Sequence, residues 1–146
     1  MLVNAYARRL IIIGILFVKF NNMPQSLLKI YVHLIWSTKY RSPVLIDQKR
    51  GLIFNKIKSI AIEKGYHLII INGVSDHVHC LIRLRHSDCI CRLVNDLKGI
   101  SSNWINKNII LPKYFDWQDG YAAFFVCPRN VKKMIKYIKN QPLHHK

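Results

Sequence analysis

Two imidazoles one residue apart, His77 and His79, sit in an otherwise apolar run, HVHCLIRL. Far downstream, Tyr137 is followed four residues later by Gln141. Imidazole nitrogens and a carboxamide oxygen are neutral ligands for a divalent cation, and a phenol is a nucleophile once activated. Such a cation polarises a phosphoryl group and orients it for in-line attack. Together these side chains suggest a hydroxyl nucleophile working beside a metal, most simply on a phosphodiester.

Elements must bring them together. Side chains alternate along a strand, so His77, His79, Leu81 and Arg83 share one face, while Val78, Cys80, Ile82 and Leu84 share the other. The second set is wholly apolar and is expected to face the core, which leaves the histidines on an exposed face. Their Cα atoms then lie about 7 Å apart, and leaning rings can reach one ion at about 2.1 Å each. Taken alone, the pair more readily describes a solvated strand face. Asp76 beside it admits two readings, a carboxylate that orients an imidazole or a simple turn residue.

On the last predicted helix, Val131, Met134, Ile135 and Ile138 form one apolar stripe. At 100° per residue Tyr137 falls about 110° from its centre and Gln141 about 70°, on the same flank. Neither belongs to the core by pattern. An amphipathic helix with a flanking tyrosine explains this helix taken alone. The combination with a ligand one turn on and a basic surface (Lys132, Lys133, Lys136, Lys139) favours chemistry.

Charge is the loudest bulk signal: 23 Lys and Arg against 7 Asp and Glu, a net +16 over 146 residues. Self-repulsion of that size makes a polyanion the expected partner, nucleic acid first and an acidic membrane surface second. Lys39, Arg41, Arg83, Arg85, Arg92, Lys98, Lys133 and Lys136 are candidate phosphate contacts, and Trp36, Tyr40 and Trp117 candidate stacking platforms. With 51% hydrophobic residues the chain is no disordered segment. It has no Walker loop or dinucleotide fingerprint, so no nucleotide cofactor is expected. Cys80, Cys89, Cys91 and Cys127 contain no C-x-x-C and read as reduced, mostly packing residues of a cytoplasmic protein.

Strands are predicted at 28–37, 66–71, 77–84 and 121–126, and helices at 47–64, 89–106 and 128–141. Gly65 ends the first helix, Ser87 or Asp88 caps the second, and Pro142 stops the third. Asn72-Gly73 is the predicted hairpin turn. The order β-α-β-β-α-β-α indicates an α+β, ferredoxin-like (RRM-like) antiparallel sheet with helices on one face, plus a C-terminal helix carrying the tyrosine. Its other face is expected to stand open for a ligand. Residues 1–22 hold Arg8, Arg9 and an apolar run too short to span a bilayer. They read as an upstream extension ahead of Met23, or else as a signal-like segment, with no chemistry of their own and the working domain at 23–146.

Several segments, in this order and spacing, carry a resemblance. They are KIYVHLIWSTKYR from Lys29 to Arg41, His77-Val78-His79, Lys98-Gly99-Ile100-Ser101-Ser102, Trp117 to Tyr121, and Tyr137-Ile138-Lys139-Asn140-Gln141. Over essentially 23–146 the chain resembles the single-tyrosine HUH transposases, the IS200-like group of insertion-sequence transposases. The resemblance implies Tyr137 as nucleophile, His77, His79 and Gln141 as ligands of Mg²⁺ or Mn²⁺, and a 5′-phosphotyrosine intermediate. It also implies single-stranded DNA hairpins at element ends as ligands, and a homodimer with a merged sheet and active sites shared between subunits. The chain ends soon after Gln141, where relatives often continue. Two rivals remain from the residues themselves: a non-catalytic nucleic-acid-binding ferredoxin-like module, and a zinc hydrolase using water.

Overall fold

The computed structural model describes residues 27–109, 111 and 113–144, and the reading of 1–22 lies outside them. Four antiparallel strands, β1 (Ile30–Ser37), β2 (His67–Gly73), β3 (His77–Leu84) and β4 (Ala122–Val126), form one sheet in the order β2-β3-β1-β4. Helices α1 (Asp47–Glu63) and α2 (Ile90–Asn108) follow β1 and β3, which gives the ferredoxin-like plan. Among the described residues no helix is long and apolar enough to cross a membrane.

The helical spacing of Ile53, Ile57, Ile60 and Ala61 in α1, and of Leu93, Leu97 and Ile105 in α2, puts these side chains in one core. Val32, Leu34, Val78, Cys80 and Ile82 meet them from the sheet. Gly65 ends α1 at φ +70°, a geometry that side chains with a Cβ rarely adopt. No side chain caps α2. Asp88 instead accepts from the backbone and guanidinium of Arg85, so the predicted cap serves the preceding turn.

The opposite sheet face is not open. Helix α3 (Val131–Lys139) lies across it, burying Ile138 against Leu81 and Val126, with Val131, Met134 and Ile135 alongside. The strand pattern gave no sign of this, because the stripe that closes the face lies on the last helix. Every residue of β3 except Arg83 is consequently buried. Full burial of a side chain such as Ile138 contributes about 1.5–3 kcal/mol to docking of α3, and its apolar neighbours on the helix add to this.

Two local expectations are also revised. Asn72 and Gly73 are the last residues of β2, and the turn is Val74 to Asp76. Gly73 is needed for close approach, since a Cβ there would run into the backbone carbonyl of His77. The final helix does not run to Gln141. It ends at Lys139, and a short helix α4 (Gln141–His144) begins after Asn140. Proline lacks an N–H and its ring collides with the carbonyl four residues back, yet it fits the first turn of a helix. Pro142 therefore breaks α3 and opens α4.

Candidate functional site

His77 and His79 come from the start of β3, and both are buried. Their rings lie 5.0 Å apart by centroid and border a cavity of about 430 Å³, also lined by Arg41, Tyr121, Tyr137 and Gln141. Each imidazole has its own support. His77 Nδ1 bonds Asp76 Oδ1 at 2.6 Å, and Arg41 Nε donates to Asp76 Oδ2 at 3.1 Å. Burial pushes the Asp76 carboxyl up, but the bonds from His77 and Arg41 outweigh it and hold the group below its ordinary value. With the proton on Nδ1, the Nε2 of His77 keeps its lone pair. Asp76 thus bonds an imidazole and is at the same time a residue of the turn.

Arg41 reaches Asp76 from a strained segment. Tyr40 and Arg41 both have positive φ, +55° and +53°, unusual for residues with side chains. The strain is held by bonds to two segments. Thr38 N donates to Asp76 O, Lys39 N to Asp116 O, and Tyr40 N to the Gln118 side chain. His79 has a different support, which no sequence pattern singled out. His33 of β1, buried in an apolar strand, lies 2.9 Å from His79 Nδ1 through its Nε2, and burial lowers its pKa.

Tyr137 stands over this cluster, its ring 6.0 Å from His79 and 6.1 Å from His33, edge-on to both. It is 45% exposed, accessible to a large ligand. Gln141 is 1% exposed, against the flank position that an unbroken helix gives it. The break at Asn140 turns it inward. Its carboxamide oxygen and nitrogen are both buried without a hydrogen-bond partner, a costly state for an amide. A cation accepted by Oε1 relieves that cost. Among the described residues no three His, Cys, Asp or Glu side chains cluster to hold a metal. Two imidazoles and an inward carboxamide fit a divalent ion.

The break is held by Asn72, whose Nδ2 donates to the carbonyls of Ile138 and Lys139 at 3.0 and 2.9 Å. Ile138 O is the carbonyl that Pro142 cannot serve. Asn72 pairs with His79 across the β2–β3 ladder, so a single residue ties the histidine strand to the turn between Tyr137 and Gln141. Losing these two bonds, one partly buried and one exposed, costs about 1–3 kcal/mol. Asn72→Ala should accelerate amide exchange in α3 and α4 while leaving α1 and α2 unchanged. Uniform acceleration would mean that the bonds serve only global stability.

The predicted basic contacts separate by place. Arg41 rims the cavity, and Lys133 and Lys136 are exposed on α3 beside Tyr137. Lys39 pairs with Asp119 at 3.1 Å. Lys98 has an internal role, its Nζ donating to Gln118 O and Gly120 O and so pinning the loop that walls the cavity. Arg83 and Arg85 lie towards the far end of β3, where Arg83 reaches Leu28 O and Arg85 is held by Asp88, while Arg92 is exposed on α2. Trp36 and Trp117 are core residues, 2% exposed and edge-to-face, whereas Tyr40 is exposed. Cys80 packs in the core, but Cys89 and Cys91 are exposed.

In one chain, then, Tyr137, Gln141, His77 and His79 line the same cavity. The family model described as "Transposase IS200 like" matches residues 26–141. The ISDra2 transposase TnpA of Deinococcus radiodurans is 28% identical over 116 residues, covering 75% of this chain and 81% of that protein. A crystal structure described as a transposase from Deinococcus radiodurans superposes with a TM-score of 0.66 at 27% identity, covering 82% of this chain and 96% of the other. The REP-associated tyrosine transposase, solved with a REP hairpin, shares the fold with a TM-score of 0.62 at 14% identity, over 85% and 73% of the two chains. The family match spans most of the sequence, and the chain belongs to the IS200-like transposases, DNA-binding enzymes of insertion-sequence transposition.

Proposed function

We propose that this transposase cleaves and rejoins single-stranded DNA at the ends of its element, with Tyr137 as nucleophile and His77, His79 and Gln141 holding Mg²⁺ or Mn²⁺. One observation carries the reading: the phenol, two oriented imidazoles and an unpartnered buried carboxamide share one cavity. When bound, the cation supplies Lewis-acid polarisation of the scissile phosphate. Tyr137 Oη attacks phosphorus and loses its proton. The 3′-oxygen of the preceding nucleotide leaves and takes up a proton, giving a 5′-phosphotyrosine and a free 3′-hydroxyl. Attack by another 3′-hydroxyl reverses the step, so the bond energy is conserved and no nucleotide is consumed. Arg41 at the rim and Lys133 and Lys136 beside Tyr137 are the basic residues best situated for the DNA backbone.

The DNA partner in this reading is a hairpin at each element end. The assembly is a homodimer joined through β4, an edge strand whose Phe124 and Phe125 are 55% and 68% exposed. Active sites shared between subunits belong to the same reading.

The test is a hairpin oligonucleotide labelled on one side of the cleavage site at a time, incubated with protein and Mn²⁺ and run on a denaturing gel. Label on the 5′-phosphate side should migrate with protein, and label on the 3′-hydroxyl side should run free. Free fragments on both sides point to water as nucleophile and to the hydrolase reading. Binding without cleavage points to the non-catalytic module.

A further inference from the structure

We propose that His33 is a positioning residue for His79, fixing which ring nitrogen of His79 faces the cation. The inference rests on the ligand assignment above and adds a residue that this assignment does not contain. His33 pairs with Leu81 across the β1–β3 ladder, which sets its side chain on the histidine face, diagonally next to His79. The two rings lie almost parallel, 17° apart with centroids at 5.1 Å, and His33 Nε2 sits 2.9 Å from His79 Nδ1.

A hydrogen bond between two neutral imidazoles needs one N–H and one lone pair, so only two arrangements exist. In the first, His79 donates from Nδ1 and its Nε2 keeps a lone pair. In the second, His33 donates, the proton of His79 moves to Nε2, and that nitrogen is no ligand. Cation binding through Nε2 selects the first, with His33 as acceptor. The histidine pair is therefore held asymmetrically: a carboxylate takes the Nδ1 proton of His77, and a third imidazole takes that of His79. His33 is also 5% exposed and edge-on to Tyr137, as His79 is, so the three rings pack against one another.

Mn²⁺ affinity of the full-length protein, titrated by electron paramagnetic resonance without DNA, tests this in wild type, His33→Leu, His33→Gln and His79→Ala. Leucine fills the buried site but accepts no hydrogen bond, whereas the glutamine carbonyl can take the place of Nε2. Loss of such a support costs about 10–100-fold in metal affinity, so His33→Leu should weaken Mn²⁺ binding by that factor and His33→Gln should recover to within about threefold of wild type. A purely packing role predicts the opposite order, with leucine near wild type or glutamine as weak as leucine, and either result overturns the proposal. If wild type binds no Mn²⁺, or His79→Ala binds as wild type does, the ligand assignment fails and takes this inference with it. If His79→Ala loses the ion while His33→Leu keeps it, the inference alone fails.

Discussion

Tyr137→Phe should bind hairpin DNA as tightly as wild type and yield neither cleavage nor covalent product. Removing a nucleophile from a working site costs on the order of 10⁴-fold or more in rate, because no neighbouring group replaces it. The substitution is otherwise mild. Tyr137 is about half exposed and belongs to neither core cluster, so the ring stays against His33 and His79 while only the hydroxyl is lost. Melting temperature and hairpin affinity are the controls. Cleavage that persists in this variant would remove Tyr137 from the mechanism, however well the rest of the site is arranged.

The second large effect is expected from the histidines. Under the proposed assignment His79→Ala removes a ligand and leaves Gln141 and His77 as the remaining protein donors, so cleavage should fall by more than the roughly 10–100-fold that loss of a supporting residue costs. Raising Mn²⁺ should restore part of the activity by mass action, since affinity rather than nucleophilicity is impaired. The same excess should do nothing for Tyr137→Phe. Mixing the two inactive variants addresses the assembly: with shared sites, a mixed dimer contains one site with both an intact histidine pair and an intact tyrosine, and cleavage returns. A mixture that stays inactive would confine each site to its own chain, the arrangement seen in the single chain.

Much of this site is legible in the sequence because its parts obey short periodicities. Alternation along β3 puts His77 and His79 on one face, and the stripe from Val131 to Ile138 marks the helix that presents Tyr137. What sequence reasoning loses is tertiary. His33 stands in an apolar strand with nothing in its neighbourhood to mark it, and only the β1–β3 register brings it to His79. Asn72-Gly73 has the composition of a hairpin turn, yet Asn72 caps a helix from the far end of the chain and Gly73 yields room to His77. Gln141 follows the helical wheel only if the helix continues. Pro142 is a legible reason for it to break, but not for the direction in which the glutamine then turns. Lys98 shows the same limit, as its charge suggests DNA and its position gives it two loop carbonyls.

The most direct measurement digests the covalent protein–DNA product with protease and locates the nucleotidylated peptide by tandem mass spectrometry. The account predicts one modified residue, Tyr137, carrying the 5′-phosphate of the cleaved strand. A phosphodiester on any other side chain, such as the exposed Tyr40 or the cavity-lining Tyr121, would contradict it.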